Sequence, residues 1–320
     1  MRLRFALLAS LACALPPAVQ AQDAFPAKPV HIIVGFAAGG GNDIIVRVLA
    51  PKMSEGLGQP IIIENRPGAQ NIIAAEYVAK AAPDGYTLLM GPSGAMTMNP
   101  AIYSKLSYAP LTDFIPISMI GDFPLLLVVS ASLPVKSVKE LIDYARANPS
   151  AVNYSASAAP FQLAAELFNQ KTGTKFAYIP YKSSGDSVAA VMSGQVTLTI
   201  TDPPPVIGPL KGGRVRALAV TASKRDAAWP EVPTLAEAGV PGYEASAWNG
   251  VAAPAKTPRA VIERLNREIN AAVAVPEVRQ RLQDLGVDAR GSSPEAMREL
   301  LVSETAKWKA VVERAKIEKQ

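Results

Sequence analysis

Few side chains in this sequence are placed to make or break bonds. Its 320 residues contain one histidine, His31, at the start of a strand-like run, and one cysteine, Cys13, inside an apolar leader. A Ser-His-Asp triad would have to recruit His31, and no G-x-S-x-G elbow supplies its serine. No H-E-x-x-H and no cysteine pair offers a zinc site, and no carboxylate pair is singled out for glycoside hydrolysis. The chain is therefore expected to be neither an exported hydrolase nor a holder of a cofactor or metal. What stands out is backbone: Gly39-Gly40-Gly41, between the strand-like "VHIIVGF" and a helical pattern over Asn42 to Leu57. Ile44 breaks the G-x-G-x-x-G spacing, and Gly41-Asn42-Asp43 stands where a P-loop needs Gly-Lys-Ser/Thr. Two readings remain. Free N–H groups at a helix start, with its partial positive charge behind them, bind a small anion such as a carboxylate. Alternatively, a tight turn needs φ > 0 at one or two of the glycines.

The elements that must hold this loop alternate along the chain, as in an α/β architecture. Strands are expected at Val30–Phe36, Pro60–Asn65, Thr87–Met90 and Val215–Thr221, with two more within "IPISMIGDFPLLLVVSA" and another at "QVTLTIT". Helices are expected at Asn42–Leu57, Asn71–Ala81, Ser137–Ala147 and "SVAAVMSG". The C-terminus reads as helical from Pro258, with breaks at Pro276 and Pro294. Asn42 reads as the N-cap of the first helix, with Asp43 in its first turn, and Pro51 is expected to kink or split it. "VNYSASAAPFQLAAELFNQ" repeats the opening strand–loop–helix plan near Val152.

Residues 1–21 read as a cleavable secretory signal: Arg2 and Arg4, an apolar stretch from Phe5 to Leu15, and the small-residue site Val19-Gln20-Ala21. The stretch falls short of the roughly twenty apolar residues a membrane span needs. Cleavage removes Cys13, so no disulfide or thiol chemistry remains; a lipoprotein site there is disfavoured, because "SLAC" lacks the large aliphatic residue. Loss of Arg2 and Arg4 lowers the formal net charge from +5 to +3. The remaining cations are scattered among acids, which argues against nucleic acid as a partner.

The motifs "FPAKPVHIIVGFAAGGGND", "LGQPIIIENRPGA", "AKAAPDGYTLLMG", "IPYKSSGDSV", "GRVRALAVT", "VPTLAEAGVPGYEASAWNG" and "APAKTP" resemble, in order and over nearly the whole mature chain, the Bug receptors. These are the periplasmic substrate-binding proteins of tripartite tricarboxylate transporters. The resemblance implies a type II periplasmic binding protein: two α/β domains, 22–124 plus 246–320 and 125–245, closing on a ligand cleft between them. It implies a monomeric periplasmic receptor, not an enzyme, that delivers a small organic carboxylate to membrane transporter subunits. A ligand-sensing receptor for a two-component histidine kinase would share the same fold and pocket.

Carried onto this sequence, the resemblance assigns ligand contacts to Phe36, Ala38, Gly39, Gly40, Gly41, Asn42 and Asp43 in the first loop, and to Ser93, Gly94 and Ala95 before Met96. In the second domain it assigns Ser155, Ala156, Ser157, Ala158, Ala159, Phe161 and Gln162, together with Asp202 after a later strand. The pattern departs from the family where Ala37 and Ala38 replace a proline, where the second loop lacks glycine, and where Gln162 stands near a histidine position. Pro160 supplies no N–H, and "TDPPP" is expected to stiffen one wall. With few cations in these loops, bidentate arginine clamps on a tricarboxylate are not evident. With Phe36 and Phe161 near the cleft, a mono- or dicarboxylate with an apolar or aromatic body is expected.

Overall fold

The computed structural model describes residues 25–226, 228–315, 317 and 319. The expected signal segment and Cys13 lie outside the described residues. In chain order, β1 (Val30–Val34) leads into α1 (Gly41–Leu57), β2 (Ile61–Asn65), α2 (Ile72–Ala79) and β3 (Thr87–Pro92). A wide helical turn over Gly94–Met98 follows, then the short α3 (Asn99–Ile102) and α4 (Pro110–Asp113), and β4 (Phe114–Pro124). The second unit holds β5 (Leu126–Ser130), α5 (Val138–Ala147), β6 (Asn153–Ala156), α6 (Ala159–Thr172) and β7 (Ala177–Pro180). It continues with α7 (Ser184–Met192), β8 (Leu198–Thr201), α8 (Pro204–Lys211) and β9 (Val215–Val220). The chain then returns through β10 (Ser246–Pro254), α9 (Arg259–Ala274), α10 (Pro276–Asp284), β11 (Asp288–Ala289) and α11 (Pro294–Ala315).

Two sheets result. The first has the order β11-β4-β10-β3-β1-β2 and the second β7-β6-β8-β5-β9. In the first, β1 pairs parallel with β2 and β3, while β10 runs antiparallel to β3 and β4. In the second, β6 is parallel to β7 and β8, and β5 antiparallel to β8 and β9. Both sheets are mixed, because the strands that leave each unit must turn back along it. Apolar runs explain the cores: Val30, Ile32 and Val34 pack beneath Ile45, Val46, Leu49 and Met53 of α1, all buried.

Three local expectations need correction. Helix α1 begins one residue early, with Gly40 rather than Asn42 as N-cap. It also runs through Pro51 without a break: the proline sits on the exposed face, where its ring and missing donor are tolerated. The helix expected over Asn71–Ala81 covers only Ile72–Ala79, because Ala69, Gln70 and Asn71 are all left-handed (φ 46°, 52° and 73°). Consecutive non-glycine residues in that region are costly, on the order of 1–3 kcal/mol each, and such strain clusters at functional sites.

The units are joined at two crossings, Pro124–Leu126 and Ala245–Ser246, which the buried Thr221 laces together. Its N–H donates to the Leu125 carbonyl (2.9 Å) and its carbonyl accepts from Ala245 N–H (3.0 Å). Its hydroxyl accepts from Leu125 N–H (2.8 Å) and donates to the Ala245 carbonyl.

Candidate functional site

Between the two sheets lies a cleft enclosing about 620 Å³ with its mouth. Three helices of eight or more residues begin on it: α1 through Gly40, Gly41 and Asn42, α6 through Ala158, Ala159 and Phe161, and α7 through Ser183 and Ser184. The first N–H groups of a helix have no intrahelical acceptor and carry its partial positive charge. Among the described residues, no lysine, arginine or histidine lines the cleft. The partial positive charge found there is that of backbone N–H groups at the helix starts. Phe36, Pro92, Phe123, Pro160, Phe161 and Trp248 supply apolar walls.

Two of the three glycines have separate reasons. Gly39 holds φ +79°, a conformation side chains rarely adopt, so one glycine serves the turn. A Cβ at Gly41 would stand 2.1 Å from Asp202 Oδ2, so this glycine clears space for a carboxyl of the opposite domain. Asp202 is buried, and Thr201 Oγ1 donates to its Oδ1 at 3.0 Å. Burial pushes its pKa above the ordinary carboxylate range, opposed by hydrogen bonds from Ser184 and Thr201. Among the described residues, the one ionisable side chain lining the cleft is thus an acid, held against the first turn of α1.

Of the residues expected at the ligand, Phe36, Gly40, Gly41, Asn42, Ser93, Gly94, Ala95, Ser157, Ala158, Ala159, Phe161 and Asp202 line the cleft. Asp43 does not. It turns inward and ties the loop down, accepting from Gly39 N–H (2.9 Å), Arg47 Nε (2.9 Å) and Asn65 Nδ2 (2.9 Å). Burial pushes its pKa up, but the bonds from Arg47, Gly39 and Asn65 outweigh this and hold it below the ordinary value. Ala38 and Gly39 lie on the exposed outer side of the turn. Ser155, Ala156 and Gln162 are buried within the second unit, where Ser155 Oγ donates to the Ser187 carbonyl (3.4 Å). The proline run opens α8, with Pro203 as its N-cap. His31 sits outside the cleft and pairs with Glu64 across the sheet (2.5 Å).

Sequence reasoning missed Gln70, Asn99, Phe123, Ser183, Ser184, Trp248 and Asn249, all of which line the cleft. Gln70 arrives on the left-handed segment, and "RPGAQN", with its Pro-Gly turn, carried a signal that something other than a plain helix begins there. Trp248 and Asn249 come from β10, whose pairing with β3 sets Asn249 opposite Pro92.

A family model described as the tripartite tricarboxylate transporter family receptor matches residues 45–317. The chain belongs to that family. Protein BugT of Bordetella pertussis is 38% identical over 293 residues, covering 91% of this chain and 90% of its own. The solved structure of R. palustris Rpa4515 with adipate superposes with a TM-score of 0.89 at 39% identity, covering 92% of this chain and 99% of that one. The periplasmic binding protein BugD gives 0.88 at 31% identity, covering 92% and 100%. The fold is that of a periplasmic solute-binding receptor, with two α/β domains.

Proposed function

We propose that this protein is a periplasmic receptor that captures a small organic carboxylate in the interdomain cleft without turning it over, and delivers it to the membrane subunits of a tripartite tricarboxylate-type transporter. On this reading residues 1–21 direct export and are removed after Ala21, and the mature chain acts as a monomer. The observation that carries the reading is the convergence of three helix N-termini on a cleft whose lining, among the described residues, holds no cation. Such a site favours a small carboxylate, which backbone N–H groups can surround, over a tricarboxylate that calls for guanidinium partners. Closure removes water and strengthens those bonds. Adipate in Rpa4515 supports a ligand of this class.

The test is a thermal-shift screen of the mature chain, unfolded and refolded to strip carried-over ligand, against aliphatic, hydroxy and aromatic acids. Binding to the native state raises the melting temperature by an amount set by ligand concentration over Kd. Gly40→Asp is the matched control. Aspartate is a favourable N-cap, so α1 stays intact, while its carboxylate occupies the donors a ligand would use. Acid-dependent shifts that vanish in this variant support the assignment. Absence of any acid-dependent shift refutes it.

A further inference from the structure

One wall of the cleft is built differently from the helix starts. It comprises Gln70, Asn99, Trp248 and Asn249, and four of its side-chain groups are buried without partners: Asn99 Oδ1, Trp248 Nε1, and both Nδ2 and Oδ1 of Asn249. Gln70 Oε1 adds a fifth. Asn99 and Asn249 have no exposed surface and Trp248 keeps 3%. Buried polar atoms in native proteins are overwhelmingly hydrogen-bonded, so this concentration on one wall calls for an outside partner.

The polarity of Asn99 is fixed by its neighbours. Tyr108 Oη donates to the Ala95 carbonyl (2.7 Å), so it accepts from Asn99 Nδ2 (3.2 Å). Asn99 Nδ2 also donates to the Gln70 carbonyl (3.0 Å). With its amide nitrogen so engaged, Asn99 directs an acceptor oxygen outward. The Trp248 indole can only donate, and Asn249 offers one donor and one acceptor whichever way its amide is turned. The wall therefore presents donors and acceptors together, with no formal charge.

A carboxylate seated there would accept from Trp248 and Asn249 but leave the oxygens of Asn99, Asn249 and Gln70 facing its negative charge. An ammonium would satisfy those oxygens and leave the indole N–H unpaired. A hydroxyl or a carboxamide does both. We propose that Gln70, Asn99, Trp248 and Asn249 form a neutral subsite for a hydroxyl or carboxamide group on the ligand, so that this receptor prefers a monocarboxylate bearing a second, uncharged, hydrogen-bonding group over a dicarboxylate of equal length. The inference rests on the carboxylate-receptor reading and narrows its substrate class.

The experiment is calorimetric titration of the ligand-stripped mature chain with matched straight-chain series: alkanoate, dicarboxylate, ω-hydroxy acid and ω-carboxamide acid, each over several chain lengths. The ω-hydroxy or ω-carboxamide acid is expected to bind at least about tenfold more tightly than the alkanoate or dicarboxylate of its length, the scale of one buried hydrogen bond made or left unmade. Asn249→Leu and Gln70→Met should erase this preference, bringing the affinity of the ω-hydroxy and ω-carboxamide acids down to that of the alkanoate measured in the same variant. Gln70 is only half-buried, so its variant reports even if the β10 substitution compromises folding. Binding of acids with the dicarboxylate tightest, or with a preference that survives Gln70→Met, overturns the subsite and leaves the receptor reading standing. Failure of every acid to bind removes both.

Discussion

Gly41→Ala separates what holds each domain together from what lets the two close. Gly41 is the first residue of α1, where alanine suits the helix and is favoured over glycine by up to about 0.5–1 kcal/mol. Its added methyl would stand 2.1 Å from Asp202 Oδ2 and 3.4 Å from that carboxyl's carbon. The carboxyl would have to withdraw by about an ångström to reach ordinary contact, straining its bonds from Thr201 and Ser184. A hydrogen bond to a charged group is worth roughly 1.5–3 kcal/mol, which corresponds to about 10- to 140-fold in Kd at 1.4 kcal/mol per factor of ten. Because the clash exists only when the domains meet, the ligand-free melting temperature should be unchanged or slightly raised while affinity falls. Calorimetry and thermal unfolding on the same preparation read the two effects. Asp202→Ser in the Gly41→Ala background should restore part of the lost affinity, since it removes the atoms in conflict. Unaltered affinity, or a melting temperature that falls in step with affinity, would refute the claim that Gly41 is required by the opposite domain.

Three other perturbations bear on the same frame. Burial raises the pKa of Asp202, so its contribution to stability is complete below the ordinary carboxylate range and is lost as pH rises through the raised native value; carboxylate affinity should weaken over the same rise. Asp202→Asn should flatten both profiles, and titrations at stepped pH would show whether it does. Thr221→Val keeps the shape of the side chain but strands Leu125 N–H and the Ala245 carbonyl, at about 1–3 kcal/mol for each buried group left unpaired. The variant should unfold at lower denaturant, and an unmoved midpoint would count against the lacing role. Asp43→Ala should cost about 2–3 kcal/mol at neutral pH, because three donors lose a buried carboxylate. Urea unfolding would measure it, and a loss below about 0.5 kcal/mol would contradict the assigned role.

The part of the site legible in the sequence is the part made of local backbone. A strand, three glycines and a helical period announce a turn that exposes N–H groups, and the second strand–loop–helix at Val152 announces its counterpart. Asp43 was misplaced because an acid in a first turn can face outward or fold back on the loop before it. Only the positions of Arg47 and Asn65 decide between these, and Asn65 arrives from another strand. Asp202 was expected at the cleft, yet its contact with Gly41 depends on how two domains meet, which no local pattern encodes. Trp248 and Asn249 are out of reach for a related reason: the sequence reading assigns no element over them, and only the β10–β3 register brings them beside Pro92 and Ser93. Pro51 does not end the helix because it lies on the solvent side, where water can reach the backbone carbonyl that its missing N–H leaves free.

The central claim is that helix N-termini in a cation-free cleft hold a carboxylate. The direct measurement is calorimetric titration of the ligand-stripped mature chain with a straight-chain acid that binds and with the primary alcohol of the same carbon skeleton. The account predicts a single saturable site for the acid and no saturable heat for the alcohol, with the acid's heat lost in Gly40→Asp. Equal binding of acid and alcohol, or acid binding that survives Gly40→Asp unchanged, would contradict it.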